Sequence, residues 1–206
     1  YLLNGRKIWT STAQITDKIM IIARTSDRNN KKPTEGLSLF YTDFKRDNIE
    51  ARVINKMGRA AVDTNELFID NLKVPIEDII GEEGKGFSYL IHSLNPERIL
   101  VAAEAYGIAK NALERAVKYA NERIVFDRKI GKNQSIQHPL ADAWAKLESL
   151  KLLILKAANL YDNDLPCGVE SNAAKYLAAE YGMEICKQAI ATHGGMGYAK
   201  EYHVER

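Results

Sequence analysis

A chain of 206 residues, 46% apolar and 27% charged, can bury one large core or two small ones and has the composition of an ordinary globular protein. A formal net charge of +2 gives no basis for a nucleic-acid or membrane-surface partner, and no apolar run is long enough to span a bilayer. Cys167 and Cys186 show neither CxxC spacing nor clustered histidines, which predicts buried thiols in a reducing compartment rather than a disulfide.

The sequence opens without Met on a strand-like run at residues 1–5 and stops at Glu205-Arg206 without a helix stop signal, as expected of part of a longer protein. Residues 7–12 and 17–24 carry β-branched and aromatic runs broken by polar turns, which predicts strands. Asn29, Asn30 and Pro33 mark residues 27–34 as a charged loop, and residues 36–41 alternate in the period of a half-buried strand. Further strands are predicted over residues 49–54 and 65–69. Short strands at this spacing form an antiparallel sandwich or small barrel, here a β-domain over residues 1–82. Gly81, Gly84 and Gly86 then read as a linker.

Residues 83–206 are helical in pattern. Ile99, Ala102, Ala103, Tyr106, Ala109, Leu113, Ala116, Val117 and Ala120 recur at three and four residues, the spacing of one helix face. Leu140, Trp144, Leu147, Leu150 with Lys151, Ile154 and Ala158 form a second stripe, and Ala173, Ala174, Leu177, Tyr181, Ile185 and Ala189 a third. Three long helices with short connections predict an up-and-down bundle. With β first and helices second, the fold class is α+β with segregated layers rather than a βαβ sheet.

Several residues could carry chemistry. In Asn95-Pro96-Glu97-Arg98, either Asn95 caps a helix that starts at Pro96, or the helix starts near Phe87 and Pro96 kinks it. Glu97 then either complements the helix dipole or, with Arg98 ahead of an apolar stripe, points into a cleft. His193-Gly194-Gly195-Met196-Gly197-Tyr198 is a glycine helix stop. Its glycines also expose N–H groups suited to phosphate or ribose, although it follows a helix and so is no dinucleotide fingerprint. Trp9 reads first as a core residue, with Thr10 and Ser11 as surface hydroxyls. Arg123 and Phe126 fall where the first long helix ends, and Gln134 and His138 in the connection to the second. His92 and His203 have no metal-like partners and read as structural.

Taken in order, these segments resemble the acyl-CoA dehydrogenase family. The likeness rests on Leu3-Asn4-Gly5-Arg6-Lys7-Ile8-Trp9-Thr10-Ser11, Leu67-Phe68-Ile69-Asp70 with Val74-Pro75, and Gly81 to Phe87. It continues through Glu97-Arg98 with Ala102-Ala103, Tyr119 with Arg123 and Phe126, and the glycine turn after His193. The resemblance covers the whole chain. It implies the second part of a middle β-domain followed by most of a C-terminal helical domain, enclosing FAD and an acyl-CoA. It further implies that a carboxylate removes the proton α to the thioester while the β-hydrogen leaves as hydride to the flavin.

Position by position, the resemblance places Trp9 and Ser11 beside the flavin ring, with Ser11 where many members have Thr. Arg123, Phe126 and Gln134 match residues that reach the FAD of a neighbouring subunit, as does the Gly194-Gly195 turn. Asp127 stands where Gly is usual, and Ala191 where a Gln is common. Glu97 matches the general base of a minority of members, with Arg98 as its neighbour toward the substrate; most members carry the base on a segment that would lie beyond Arg206. The resemblance also implies an electron-transfer flavoprotein as acceptor, a homodimer or homotetramer, no metal, and a cytoplasmic location in a bacterium or a mitochondrial one in a eukaryote. Acyl-CoA oxidases and flavin monooxygenases share the architecture, and a non-catalytic helical assembly protein is the rival of another class.

Overall fold

Alternating apolar residues build six strands in the first part of the chain: β1 (Leu2–Ser11), β2 (Lys18–Arg24), β3 (Leu37–Asp43), β4 (Ile49–Val53), β5 (Thr64–Lys73) and β6 (Ile79–Ile80). The computed structural model describes all of residues 1–206, in two units, Tyr1–His92 and Ser93–Arg206. In the first unit the strands form two antiparallel three-stranded sheets, ordered β1-β5-β4 and β2-β3-β6. Leu3, Ile49, Leu67, Ile69 and Leu72 from one sheet meet Ile19, Ile21 and Phe40 from the other in a single core. Each such side chain, fully buried, contributes about 1.5–3 kcal/mol.

β1 and β2 each keep one side without a strand partner. There the Lys7 ammonium donates to the Ile22 carbonyl at 2.6 Å, tying β1 to β2 through a side chain. Burial pushes the Lys7 pKa below the ordinary lysine value.

The segment expected as a linker is pinned to β3 instead. Gly36 N–H donates to the Gly84 carbonyl at 3.0 Å, and Gly84 N–H donates to the Ser38 hydroxyl at 2.8 Å. Gly81 and Gly84 adopt φ of 70° and 78°, a region open chiefly to glycine.

Three long helices follow: α1 (Gly86–Glu122), α2 (Gln134–Asp162) and α3 (Gly168–His193). The first turns of α1 belong to the first unit. Within the second unit, Ala109, Ala112, Leu113, Ala116 and Ala120 of α1 pack with Leu140, Ala143, Leu147, Ile185 and Ala189. Ile99 and Ala102 pack with Leu150, Ile154, Ala157, Ala174 and Ala178. Alanine at so many contacts brings the helix backbones close. The second expected stripe needs a correction: Trp144 is 61% exposed, and Ala143, one position earlier, takes the inward place. Val117 likewise turns outward while Ala116 is buried. A short hairpin, β7 (Ile124–Val125) and β8 (Arg128–Lys129), separates α1 from α2 and was not foreseen. No helix is long and apolar enough to cross a membrane.

Candidate functional site

Trp9 overturns its core reading. It is 65% exposed and sits at φ 67°, a conformation that is an outlier for a bulky side chain. The cause lies in the register of β1 on β5. Lys7 pairs with Leu67 and Thr10 with Asn65, so β1 carries one extra residue across this interval. Such a bulge bends the strand and re-aims a side chain. Ser11 follows as the last residue of β1, paired with Thr64 and exposed. An outward indole next to a free hydroxyl suits a planar, hydrogen-bonding ligand such as a flavin.

Glu97 lies at the start of the fourth turn of α1, not at the start of the helix, because the helix begins at Gly86 and runs through Pro96. Of the two readings, the helix with an internal proline is therefore the one observed. Pro96 has no N–H to donate to the preceding turn. Asn95 is not a cap: its side-chain oxygen lies 3.3 Å from the hydroxyl of buried Ser171 on α3 and 3.4 Å from Arg98 Nη1. This node fixes α1 against α3 and turns the half-buried Arg98 toward Asn95. Glu97 itself is exposed.

The remaining site residues gather at the other end of the unit. Arg123 is the first residue past α1; its N–H donates to the Tyr119 carbonyl at 2.8 Å and its carbonyl accepts from Ile130 N–H at 2.9 Å. Phe126 and Asp127 form the two-residue hairpin turn with φ of 53° and 61°. Positive φ at both positions marks a type I′ turn, where glycine is favoured. Phe126 is 94% exposed at its tip. Gln134 and His138 are corrected from the connection to the helix, since α2 starts at Gln134 and already contains Pro139. Asn133 holds this start, its carbonyl accepting from the Ile136 and Gln137 N–H groups.

Gly194 closes α3 at φ 59°, and a Cβ at either Gly194 or Gly195 would meet nothing within 4 Å. The glycine turn is open to a closely approaching ligand. One signal missed in the sequence is His193, which is buried, bonds the Ala189 carbonyl through Nδ1 at 2.8 Å and stacks on Tyr119 at 4.4 Å. That stack sets the glycine turn beside the last turn of α1. Arg123, Phe126, Gln134 and Gly194-Gly195 thus share one end of the helical unit. Glu97 lies 26 residues before Arg123, roughly 39 Å along a helix rising about 1.5 Å per residue. Trp9 and Ser11 belong to the other unit.

Known proteins match the chain along nearly all its length. Residues 1–72 match the family model for the acyl-CoA dehydrogenase middle domain, and residues 84–206 that for the acyl-CoA dehydrogenase C-terminal domain. The CarC subunit of the caffeyl-CoA reductase–Etf complex of Acetobacterium woodii is 41% identical over 207 residues, covering 100% of this chain and 54% of the relative. A 3-(aryl)acrylate reductase of Clostridium sporogenes is also 41% identical, with the same coverage. The solved butyryl-CoA dehydrogenase of Megasphaera elsdenii superposes with a TM-score of 0.91 at 35% identity, over 100% of this chain and 53% of that one. The chain spans about half the length of the curated relatives it matches.

Proposed function

Because the chain belongs to the acyl-CoA dehydrogenase family, we propose that the complete protein is an FAD-dependent oxidoreductase acting on the α,β C–C bond of an acyl-CoA thioester. The observation that carries the reading is Trp9, an indole held outward in a left-handed bulge beside Ser11, for which packing of the β-core supplies no reason.

FAD, when bound, supplies the hydride acceptor. The chain's own residues do the rest. Trp9 offers its ring to the flavin face and Ser11 a hydroxyl to its edge. Glu97 is the base: its carboxylate takes the proton α to the thioester as the β-hydrogen leaves as hydride, and the two electrons of the α C–H bond become the new double bond. Arg98, beside Glu97, serves the substrate. Arg123, Phe126, Gln134 and the Gly194-Gly195 turn meet the flavin of a neighbouring copy, Arg123 at its pyrophosphate, where a guanidinium pairs well with phosphate. An electron-transfer flavoprotein would be the electron acceptor, a reading supported by the Etf complex to which the Acetobacterium woodii relative belongs.

Glu97→Gln in the complete protein tests the assignment. Bleaching of the bound flavin by acyl-CoA should fall by at least about 100-fold, the lower range for loss of a general base, while FAD stays bound. Full retained activity would sink Glu97 as the base and return the role to a carboxylate beyond Arg206. A protein that takes up no FAD would sink the reading as a whole.

A second reading runs the same chemistry in reverse, from enoyl- to acyl-CoA. It is favoured by the names of the two relatives at 41% identity, both reductases. Reoxidation of the chemically reduced flavin by an arylacrylyl-CoA, faster than by air, would select it. Fast reoxidation in air with release of peroxide would instead select an oxidase.

A further inference from the structure

The bulge that presents Trp9 is closed by a polar network whose centre has no solvent contact. Asn65, on β5, is 0% exposed, an uncommon place for an amide unless its hydrogen bonds are satisfied. Its Nδ2 donates to the Thr10 carbonyl at 3.1 Å, between Trp9 and Ser11, and also to the Asp63 carboxylate. Its Oδ1 accepts from Gln14 Nε2 at 2.7 Å. The Asp63 carboxylate accepts again from Gln14 N–H at 3.3 Å, and the Asp63 carbonyl from Thr12 N–H at 3.3 Å. From the other side Arg46 donates to the carbonyls of Ala13, Gln14 and Thr16 at 3.1–3.2 Å. Every backbone group from Thr10 to Thr16 that these bonds reach is therefore fixed just downstream of a strained residue. A bulky residue in the left-handed region is strained and persists only where its surroundings over-determine it. Asn65 is the one buried side chain of this set that bonds within the bulge itself.

We propose that Asn65 is a positioning residue: by donating to the Thr10 carbonyl it locks the bulge that aims Trp9 and Ser11 at the flavin. The role in flavin binding rests on the function proposed above; the hold on Trp9 does not.

The test uses the complete protein labelled with 5-fluorotryptophan, the Trp9 ¹⁹F line being assigned by its loss in Trp9→Phe. Asn65→Asp keeps the size of the side chain and removes the amide donor. The Trp9 line should shift or split, with or without FAD, and in the FAD-loaded protein the flavin absorption band should move and FAD affinity fall about tenfold or more. Ile69→Val thins the same core away from the bulge; it should lower the urea midpoint and leave the Trp9 line in place. A wild-type Trp9 line in Asn65→Asp overturns the proposal, as does an equal shift in Ile69→Val. If Asn65→Asp does not fold, Gln14→Met, at the exposed end of the network, is read in the same way and should give a smaller shift; no shift there overturns the proposal. A wild-type protein that binds no FAD counts against the dehydrogenase reading alone, because the ¹⁹F line is readable without flavin.

Discussion

At Gly86 the absence of a methyl group decides where α1 can begin. A Cβ there would lie 2.3 Å from the Leu39 nitrogen and 2.6 Å from the Ser38 carbonyl carbon, both backbone atoms that cannot step aside. Alanine is the better helix former by about 0.8–1.0 kcal/mol, yet overpacking costs about 1–3 kcal/mol, so the clash wins. Gly86→Ala should lower the urea unfolding midpoint rather than raise it. The three glycines were legible as a break in the chain, but their docking on β3 was not, because nothing in the sequence says which strand a hydrogen atom will face. Trp9 and Trp144 failed for related reasons. Large apolar residues in a periodic stripe are assigned inward by default; a one-residue bulge reverses the first, and neighbouring Ala143 takes the close helix contact of the second. Asn65 left a faint trace, an amide inside a strand-like run, that only its Thr10 contact explains.

Among the elements, α2 and α3 are held by their alanine-rich seam and by Lys146, whose ammonium bonds Asp142 at 2.7 Å and Glu184 at 2.6 Å. The hydrogen bonds that it donates to these two carboxylates push the Lys146 pKa up to about 12. A raised folded-state pKa gives stability that is fully present below the ordinary lysine value and disappears as pH rises through about 12. Lys146→Met should lower the urea midpoint at pH 8. The gap to wild type should narrow in about 1 M salt, which screens exposed charges beyond about 3 Å, and close above pH 12. The helices themselves were readable, since Ile99, Ala109, Leu147, Leu150, Ile185 and Ala189 are buried where the stripes placed them. Their starts were only half readable: Pro96 left the start of α1 open between itself and Phe87, of which the earlier is the one observed, and Gln134 was placed in the connection although α2 begins there. The β7–β8 hairpin escaped because Phe126-Asp127 lacks the glycine that usually announces a type I′ turn.

For the whole molecule, the separation of Glu97 from Arg123 along one rod has a consequence for assembly. A stretch of roughly 39 Å means that one copy of α1 does not bring both residues to a single flavin. If the base and the pyrophosphate contact come from different copies, Glu97→Gln and Arg123→Ala complete proteins are each inactive alone but complement one another. When they are co-expressed, half of the randomly assembled dimers are mixed and each mixed dimer keeps one intact site. Activity should return to roughly a quarter of the wild-type value, measured as flavin bleaching per protomer. Activity no greater than the sum of the two single variants would place both residues in one site or give Arg123 no part in it.

The Lys7 ammonium on the Ile22 carbonyl has a meaning beyond the fold it closes. β1 and β2 do not pair with each other as strands, so this one side-chain bond stands where a ladder of backbone bonds would otherwise have to join them. Lys7→Met should leave most of the β-core intact, since it removes no core side chain, but let the seam between β1 and β2 open more often, seen as faster amide hydrogen exchange in these two strands than in β3 and β5. One ammonium thereby works as a latch between two sheets.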